Sequence, residues 1–188
     1  MLFRSLSVGG YAYPEIDPAL LRQTLPFLTT MAPFTYGITP QGGLVPLDDQ
    51  ALIDAAKSMR VRPLLHLSTL TQEGTFSNEL AHTVLTDGAV QNRLAASLLE
   101  TIQQKGYRGL DVDLEFIYPE DAAAYAAFIA RMRESLSPLD LPVFAALVPK
   151  TSADQHGDLY EGHDYRLLGA AADFVFLMTY EWGYTYHP

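Results

Sequence analysis

Short runs of apolar residues alternate along the chain with longer segments whose apolar residues recur at helical spacing. Compact apolar runs predict strands, and apolar residues three or four positions apart predict helices. The pattern predicts six strands, at 6–13, 27–36, 61–70, 108–117, 141–148 and 174–180. It predicts helices at 17–25, 48–58, 77–85, 89–105, 119–136 and 165–172. Nearly continuous apolar strands that alternate with helices indicate a parallel sheet covered by helices.

Local signals support several of these boundaries. Asp17 followed by Pro18 is typical of a helix N-cap and first helical position. Gly106 stands where a helix would end, and Asp164 is a second candidate N-cap.

Six strand–helix units are compatible with either an open doubly wound sheet or part of a (β/α)8 barrel, which has eight units. The open sheet would bind a nucleotide through a glycine-rich turn after the first strand. Gly9-Gly10 does not supply G-x-G-x-x-G, and no G-x-x-x-x-G-K-[ST] motif occurs. The choice between the two folds therefore depends on the chemistry of the strands.

Composition narrows the class of protein. The 188 residues, 48% of them hydrophobic and 18% charged, predict one domain over 1–188 with a substantial core. The absence of cysteine excludes disulfides and thiolate metal sites. A net charge of −10 argues against a nucleic-acid partner. No apolar run approaches the ~20 residues of a membrane span, so we expect no membrane partner. Residues 1–7 lack the pattern of a signal peptide.

The fourth predicted strand carries three acidic residues in alternation. Asp111, Asp113 and Glu115 share one face, and Leu110, Val112, Leu114 and Phe116 share the face toward the helices. Successive acids are about 6.5–7 Å apart along a strand. Burial and mutual repulsion raise the pKa of such carboxyls, which keeps one of them protonated near neutral pH. Glu115 lies nearest the C-terminal end of the strand, where barrel enzymes carry out their chemistry.

Two other interpretations of this strand stay open. A solvated edge strand would show the same acids to water. Three oxygen ligands would also suit Mg²⁺ or Ca²⁺, although nothing nearby completes such a site. The five histidines lack H-E-x-x-H spacing, so we predict neither a metal nor an organic cofactor.

The Asp-x-Asp-x-Glu pattern resembles the signature of glycoside hydrolase family 18, the chitinase-like (β/α)8 barrels. The sequence Met178-Thr179-Tyr180-Glu181 resembles the M-x-Y-[DE] strand of that family. Similarity is greatest to its spore-cortex and peptidoglycan branch of N-acetylglucosaminidases. Three segments carry that similarity, 106–115, Pro149-Lys150-Thr151-Ser152 and 160–165.

The resemblance implies a role for each matching residue. Glu115 would be the general acid and then the base that activates water. Asp113 would orient the 2-acetamido group of the substrate, whose oxygen attacks the anomeric carbon, and Asp111 would share hydrogen bonds or a proton with Asp113. Tyr180 would donate its hydroxyl to the acetamido group. This substrate-assisted route needs one acid of raised pKa and no cofactor.

Five further residues are predicted to bind substrate, because they lie near the ends of strands where a glycan would sit. They are Tyr11, Tyr36, Met178, Glu181 and Trp182. Packing in the core or at the barrel rim is the alternative for these side chains. His66, within the apolar third strand, is interpreted as a core histidine rather than a ligand.

The resemblance implies a (β/α)8 TIM-barrel type of fold, and the sequence predicts that it stops after the sixth strand. Arg108 also replaces the first acid of the longer family pattern, D-x-x-D-x-D-x-E. Without a seventh and eighth unit, the first and sixth strands would have unpaired edges. Either the chain is a fragment, or two copies form a homo-oligomer that closes the barrel, or it is a degraded relative.

The predicted function is hydrolysis of glycans that contain N-acetylglucosamine, with a catalytically silent, lectin-like module as the alternative. The retained Glu115 favours the enzyme, and the missing units favour the silent module. The resemblance implies a location at the bacterial cell wall or spore, and the sequence leaves a cytoplasmic location open.

Overall fold

The structure, a computed structural model, describes residues 6–179. Its strands are β1 Gly9–Ala12, β2 Thr30–Pro33, β3 Arg62–Pro63, β4 Leu65–Ser68, β5 Leu110–Asp113, β6 Val143–Leu147 and β7 Phe174–Leu177. Each lies within a predicted strand. The third predicted strand is divided into β3 and β4 at Leu64, so β5 corresponds to the fourth predicted strand and β7 to the sixth.

The helices are α1 Pro18–Thr24, α2 Gln50–Ser58, α3 Asn78–Thr86, α4 Gly88–Lys105, α5 Ala122–Leu136 and α6 Tyr165–Ala171. The predicted boundary signals at three of them are confirmed. Asp17 Oδ1 accepts from the Ala19 amide at 2.6 Å, and Asp164 Oδ1 accepts from Leu167 at 2.9 Å. Gly106 ends α4 in the left-handed region, at a φ of 73°, which glycine adopts without strain.

The strands pair in chain order and all in parallel. The order is β1-β2-β3 in one sheet and β4-β5-β6-β7 in the other, and a parallel bridge between Tyr36 and Leu67 joins the two. A doubly wound sheet reverses its strand order at a switch point, whereas the wall of a barrel does not. The observed order is therefore that of a barrel wall.

Two faces of this wall have different chemistry. Outward residues of the strands, among them Leu67, Val112 and Ala145, join the main hydrophobic core with helices α3 to α6. Inward residues include Tyr11, His66, Asp111 and Asp113. The predicted alternation of acids and apolar residues along the fourth strand is thus confirmed for Leu110 to Leu114. Phe116 is an exception, because the strand ends before it and its side chain is 39% exposed.

The central and outer strands differ in burial. All four residues of β5 are buried, which excludes a solvated edge strand. Among the described residues, β7 pairs only with β6, and its side chains Phe174, Val175 and Leu177 are exposed. None of the helices in this part of the chain is long and apolar enough to span a bilayer.

Candidate active site

Asp111 lies on the inner face of β5 and is almost fully buried, with 3% of its surface exposed. Its Oδ2 accepts a hydrogen bond of 2.7 Å from the hydroxyl of Tyr11 on β1. Burial raises the pKa of Asp111, and the charge of Asp113 adds to this effect. The charge of His66 and the Tyr11 hydrogen bond oppose the rise without cancelling it. Asp111 therefore holds a proton more readily than an ordinary aspartate does.

Asp113 occupies the next inward position on β5, and 6% of its surface is exposed. The Nε2 atom of His66 lies 3.5 Å from Asp113 Oδ2. Asp113 Oδ1 is buried and makes no hydrogen bond. A buried carboxylate oxygen without a donor is unfavourable unless a ligand supplies one. Asp113 can therefore accept an N–H or O–H group of a bound molecule.

His66 is held in position by β1 and by the segment that follows β2. Thr35 Oγ1 lies 2.6 Å from His66 Nδ1, and the ring packs between Phe34 at 4.9 Å and Tyr11 at 5.2 Å. The residue is fully buried, as expected for a core histidine, but it also adjoins the carboxylates. The sequence pattern did not lead us to place His66 beside Asp113. The alternation of Leu65 and Leu67 with His66 and Ser68 was the available signal, since it places His66 on the acidic face.

A cavity of about 180 Å³ opens beside Asp113 at the C-terminal ends of the strands. Three of its six lining residues directly follow strands and three lie within strands, and tyrosine or phenylalanine makes up half of the six. The lining consists of Tyr11, Tyr13, Phe34, His66, Asp113 and Met178. Aromatic faces next to a hydrogen-bonding carboxylate form the kind of surface on which a sugar ring packs. Tyr11 and Met178, two of the predicted substrate-binding residues, are thus brought to the carboxylates.

Glu115 lies two residues beyond the end of β5 and is partly buried. The next residue, Phe116, has a φ of 55°, a left-handed conformation that costs a residue with a side chain about 1–3 kcal/mol. The chain therefore turns sharply just after Glu115, and the surrounding structure must hold this turn. Glu115 lies at the C-terminal end of the strands, where barrel enzymes carry out their chemistry.

Tyr36 is not brought to this site. It is 3% exposed, and its hydroxyl donates to Asp49 Oδ2 at 2.7 Å on the helix side of the wall. Asp49 also accepts from Tyr107 and Lys105. Burial raises the pKa of Tyr36 to about 12. The predicted substrate-binding role of Tyr36 is not supported, because its polar atom belongs to a buried cluster that fastens α2 to α4.

Three predicted site residues, Tyr180, Glu181 and Trp182, lie outside the described residues. Within residues 6–179, no group of three or more histidine, aspartate or glutamate side chains is arranged to hold a metal ion.

Arg108 and Asp111 both line a separate cavity of about 320 Å³ at the N-terminal end of the inner face.

Comparison with known proteins identifies the family of this chain. The sequence model described as "Glycosyl hydrolases family 18" matches residues 55–186. The chain belongs to glycosyl hydrolase family 18. This family 18 chain is 37% identical over 169 residues to the cortical fragment-lytic enzyme of Bacillus subtilis (strain 168). The matched region is 89% of this chain and 38% of that enzyme.

Solved structures agree on the fold of this family 18 chain. The spore cortex-lytic enzyme SleL of Bacillus megaterium QM B1551 has a TM-score of 0.87 and 33% identity, over 95% of this chain and 43% of SleL. A chitinase from Chromobacterium violaceum ATCC 12472, 24% identical, has a TM-score of 0.84 over 95% of this chain and 57% of that protein. The fold is therefore of the TIM-barrel type predicted from sequence, and the chain spans less than half the length of the cortex-lytic relatives.

Proposed function

We propose that this family 18 chain is a glycosidase that hydrolyses glycans containing N-acetylglucosamine, in peptidoglycan or spore cortex, as one domain over 1–188. The observation that carries the proposal is the buried pair Asp111 and Asp113 beside an aromatic cavity, with Glu115 just beyond them. The two cortex-lytic relatives support the class of substrate.

The proposed reaction is substrate-assisted. The carbonyl oxygen of the 2-acetamido group forms a bond to the anomeric carbon while the glycosidic bond breaks. Glu115 gives its proton to the departing oxygen, and the sugar becomes a cyclic oxazolinium. Glu115 then takes a proton from water as the water oxygen attacks the anomeric carbon and reopens the ring. Two inversions give net retention of configuration.

Asp113 and Asp111 have distinct parts in this scheme. Asp113, with an oxygen that makes no hydrogen bond, accepts the acetamido N–H and thereby makes the carbonyl oxygen a better nucleophile. Burial raises the pKa of Asp111, so Asp111 holds a proton in this scheme. Without that proton, Asp111 and Asp113 would be two adjacent anions in the site. Tyr11 and Met178 contact the sugar from the cavity wall. Tyr180 donates to the acetamido oxygen, and Glu181 and Trp182 contribute to the sugar site.

The acetamido group provides the test of this mechanism. Oligomers of N-acetylglucosamine and their fully deacetylated counterparts would be incubated with the chain, and the anomer released would be followed by proton NMR. Cleavage of only the acetylated oligomers, with retention, is expected. Equal cleavage of both would contradict substrate assistance, and binding without cleavage would favour the silent, lectin-like alternative.

Self-association through the exposed edge of β7 stays a prediction. Light scattering across a range of concentrations tests it, and a monomer with a cooperative thermal transition would contradict it.

A further inference from the structure

A corner of the loop after β6 packs directly against the segment that carries Glu115. A Cβ atom built on Gly162 would lie 2.2 Å from the carbonyl oxygen of Ile117, so only glycine fits there. Lys150 Nζ donates to the carbonyls of Tyr160 and His163, each at 3.1 Å. Lys150, in the loop that follows β6, therefore holds the corner in place. The corner packs against Ile117, two positions after Glu115.

His163, the next residue of this corner, is completely buried. Its ring meets that of Tyr125 on α5 edge-on, with centroids 5.6 Å apart. Neither ring nitrogen of His163 nor the buried hydroxyl of Tyr125 makes a hydrogen bond of full geometry, and the backbone of Leu114 supplies only a weak contact to each residue. Three buried polar atoms in a core that could hold apolar side chains of similar shape are unfavourable for stability alone.

The polar edge of this pair faces the backbone of Leu114, which lies between Asp113 and Glu115 in the chain. Burial lowers the pKa of His163 to about 4, against the opposing charge of Asp113 and together with that of Lys150. The ring is therefore neutral at pH 7. It can give or take a hydrogen bond at the Leu114 peptide but brings no positive charge to Asp113.

We propose that His163 and Tyr125 are positioning residues for Glu115, acting through the peptide groups of Leu114. The inference rests on the proposed function, because Glu115 needs a fixed direction only if it transfers a proton. Phe116 is consistent with such a constraint, since its left-handed backbone requires its surroundings to hold the turn. A shift of about 1 Å in a catalytic group can lower a rate about 100-fold.

Four variants test the proposal: His163→Phe, His163→Gln, Tyr125→Phe and the control His156→Phe. His156 is in the same loop, with its side chain 90% exposed. We expect His163→Phe to lower kcat on N-acetylglucosamine oligomers by about 10- to 100-fold with KM changed less than about twofold. His163→Gln should recover part of kcat, Tyr125→Phe should give a smaller loss, and His156→Phe should match the parent.

Hydrogen exchange of the backbone amides at 114–116 gives a second readout that needs no activity. Exchange there should accelerate in His163→Phe by about tenfold relative to exchange in β2, which is the internal reference for global stability. Unchanged kcat and unchanged relative exchange, even with a lower Tm, would overturn the proposal.

The two readouts separate failure of this inference from failure of the proposed function. An inactive parent would remove the glycosidase proposal, and the exchange at 114–116 would still decide whether His163 and Tyr125 fix this segment. An active parent whose kcat is insensitive to His163→Phe would overturn only the positioning role.

Discussion

The hydroxyl of Tyr11 donates a hydrogen bond of 2.7 Å to Asp111 Oδ2, although the two residues are 100 positions apart in the chain. The bond crosses the inner face of the wall from β1 to β5. Because it stabilises the charged form of Asp111, it opposes the rise in pKa that burial causes. The protonation of the site is therefore set partly by the first strand.

Tyr11→Phe should raise the pKa of Asp111 further, since it removes a donor to the carboxylate. We also expect a loss of about 1 kcal/mol in the free energy of unfolding, typical of one hydrogen bond. Carbon-detected NMR of the aspartate carboxyls measures the pKa. Tyr13→Phe is the matched control, because Tyr13 is 64% exposed and lines the same cavity. An unchanged pKa in Tyr11→Phe would contradict the account.

Asp111→Asn should stabilise the protein near pH 7 while it impairs activity. The folded-state pKa of Asp111 is raised above its unfolded value of 3.8, so folding at neutral pH must either take up a proton or bury a charge, and either one opposes folding. The expected result is a larger free energy of unfolding and a higher Tm at pH 7. This gain should shrink as the pH falls through the raised pKa and vanish below 3.8, where both states are protonated. A lower Tm for Asp111→Asn at pH 7 would contradict this.

Asp49→Ala should lower the free energy of unfolding strongly, although Asp49 lies on the helix side of the wall, away from the candidate active site. The substitution leaves the buried hydroxyls of Tyr36 and Tyr107 and the ammonium of Lys105 without their shared acceptor. Loss of one partner from a buried ion pair costs about 3–5 kcal/mol. Urea denaturation measures the loss, and Asp48→Ala is the exposed neighbour expected to change stability by less than about 0.5 kcal/mol.

Gly162→Ala should be destabilising by about 2 kcal/mol or more, because its Cβ would collide with the carbonyl of Ile117. Gly169→Ala is the matched control, with no atom within 4 Å of the added Cβ and a position inside α6. Alanine is favoured over glycine in a helix, so this control should gain about 0.5–1 kcal/mol. Thermal denaturation of Gly162→Ala and Gly169→Ala measures the difference, with the lower Tm expected for Gly162→Ala. Equal Tm values for the two variants would contradict the packing described.

His163 should make stability depend on pH between 6.5 and 4. Its folded-state pKa of about 4 is below its unfolded value of 6.5, so only the unfolded chain takes up a proton in this window. Stability is therefore lost as the pH falls, by up to about 3 kcal/mol. His163→Gln should flatten the difference between urea unfolding at pH 7 and at pH 4.5, and an unchanged difference would contradict the burial of a neutral ring.

The sequence determines the wall and the acidic face well, because both follow from a period of two along short apolar strands. Parity alone separates Asp111 and Asp113 from Leu110 and Val112. Parity fails where the strand ends, as at Phe116, whose left-handed backbone turns it away from the core.

Contacts between distant segments are the part that local pattern cannot predict. Tyr36 is predicted to meet substrate because it lies near the end of a strand, but its hydroxyl donates to Asp49, which also accepts from Tyr107, on the other side of the wall. The burial of His163 under Leu114 likewise depends on how the loop after β6 folds back. Neither relationship has a spacing that the sequence reveals.

Cleavage of N-acetylglucosamine oligomers and cortex muropeptides, followed by mass spectrometry for the parent and Glu115→Gln, tests the central claim most directly. The account predicts cleavage products from the parent and their loss, by about 100-fold or more, in Glu115→Gln with the fold retained. Equal cleavage by both proteins would contradict the assignment of the acid to Glu115, and no cleavage by either would contradict the proposed activity of this chain.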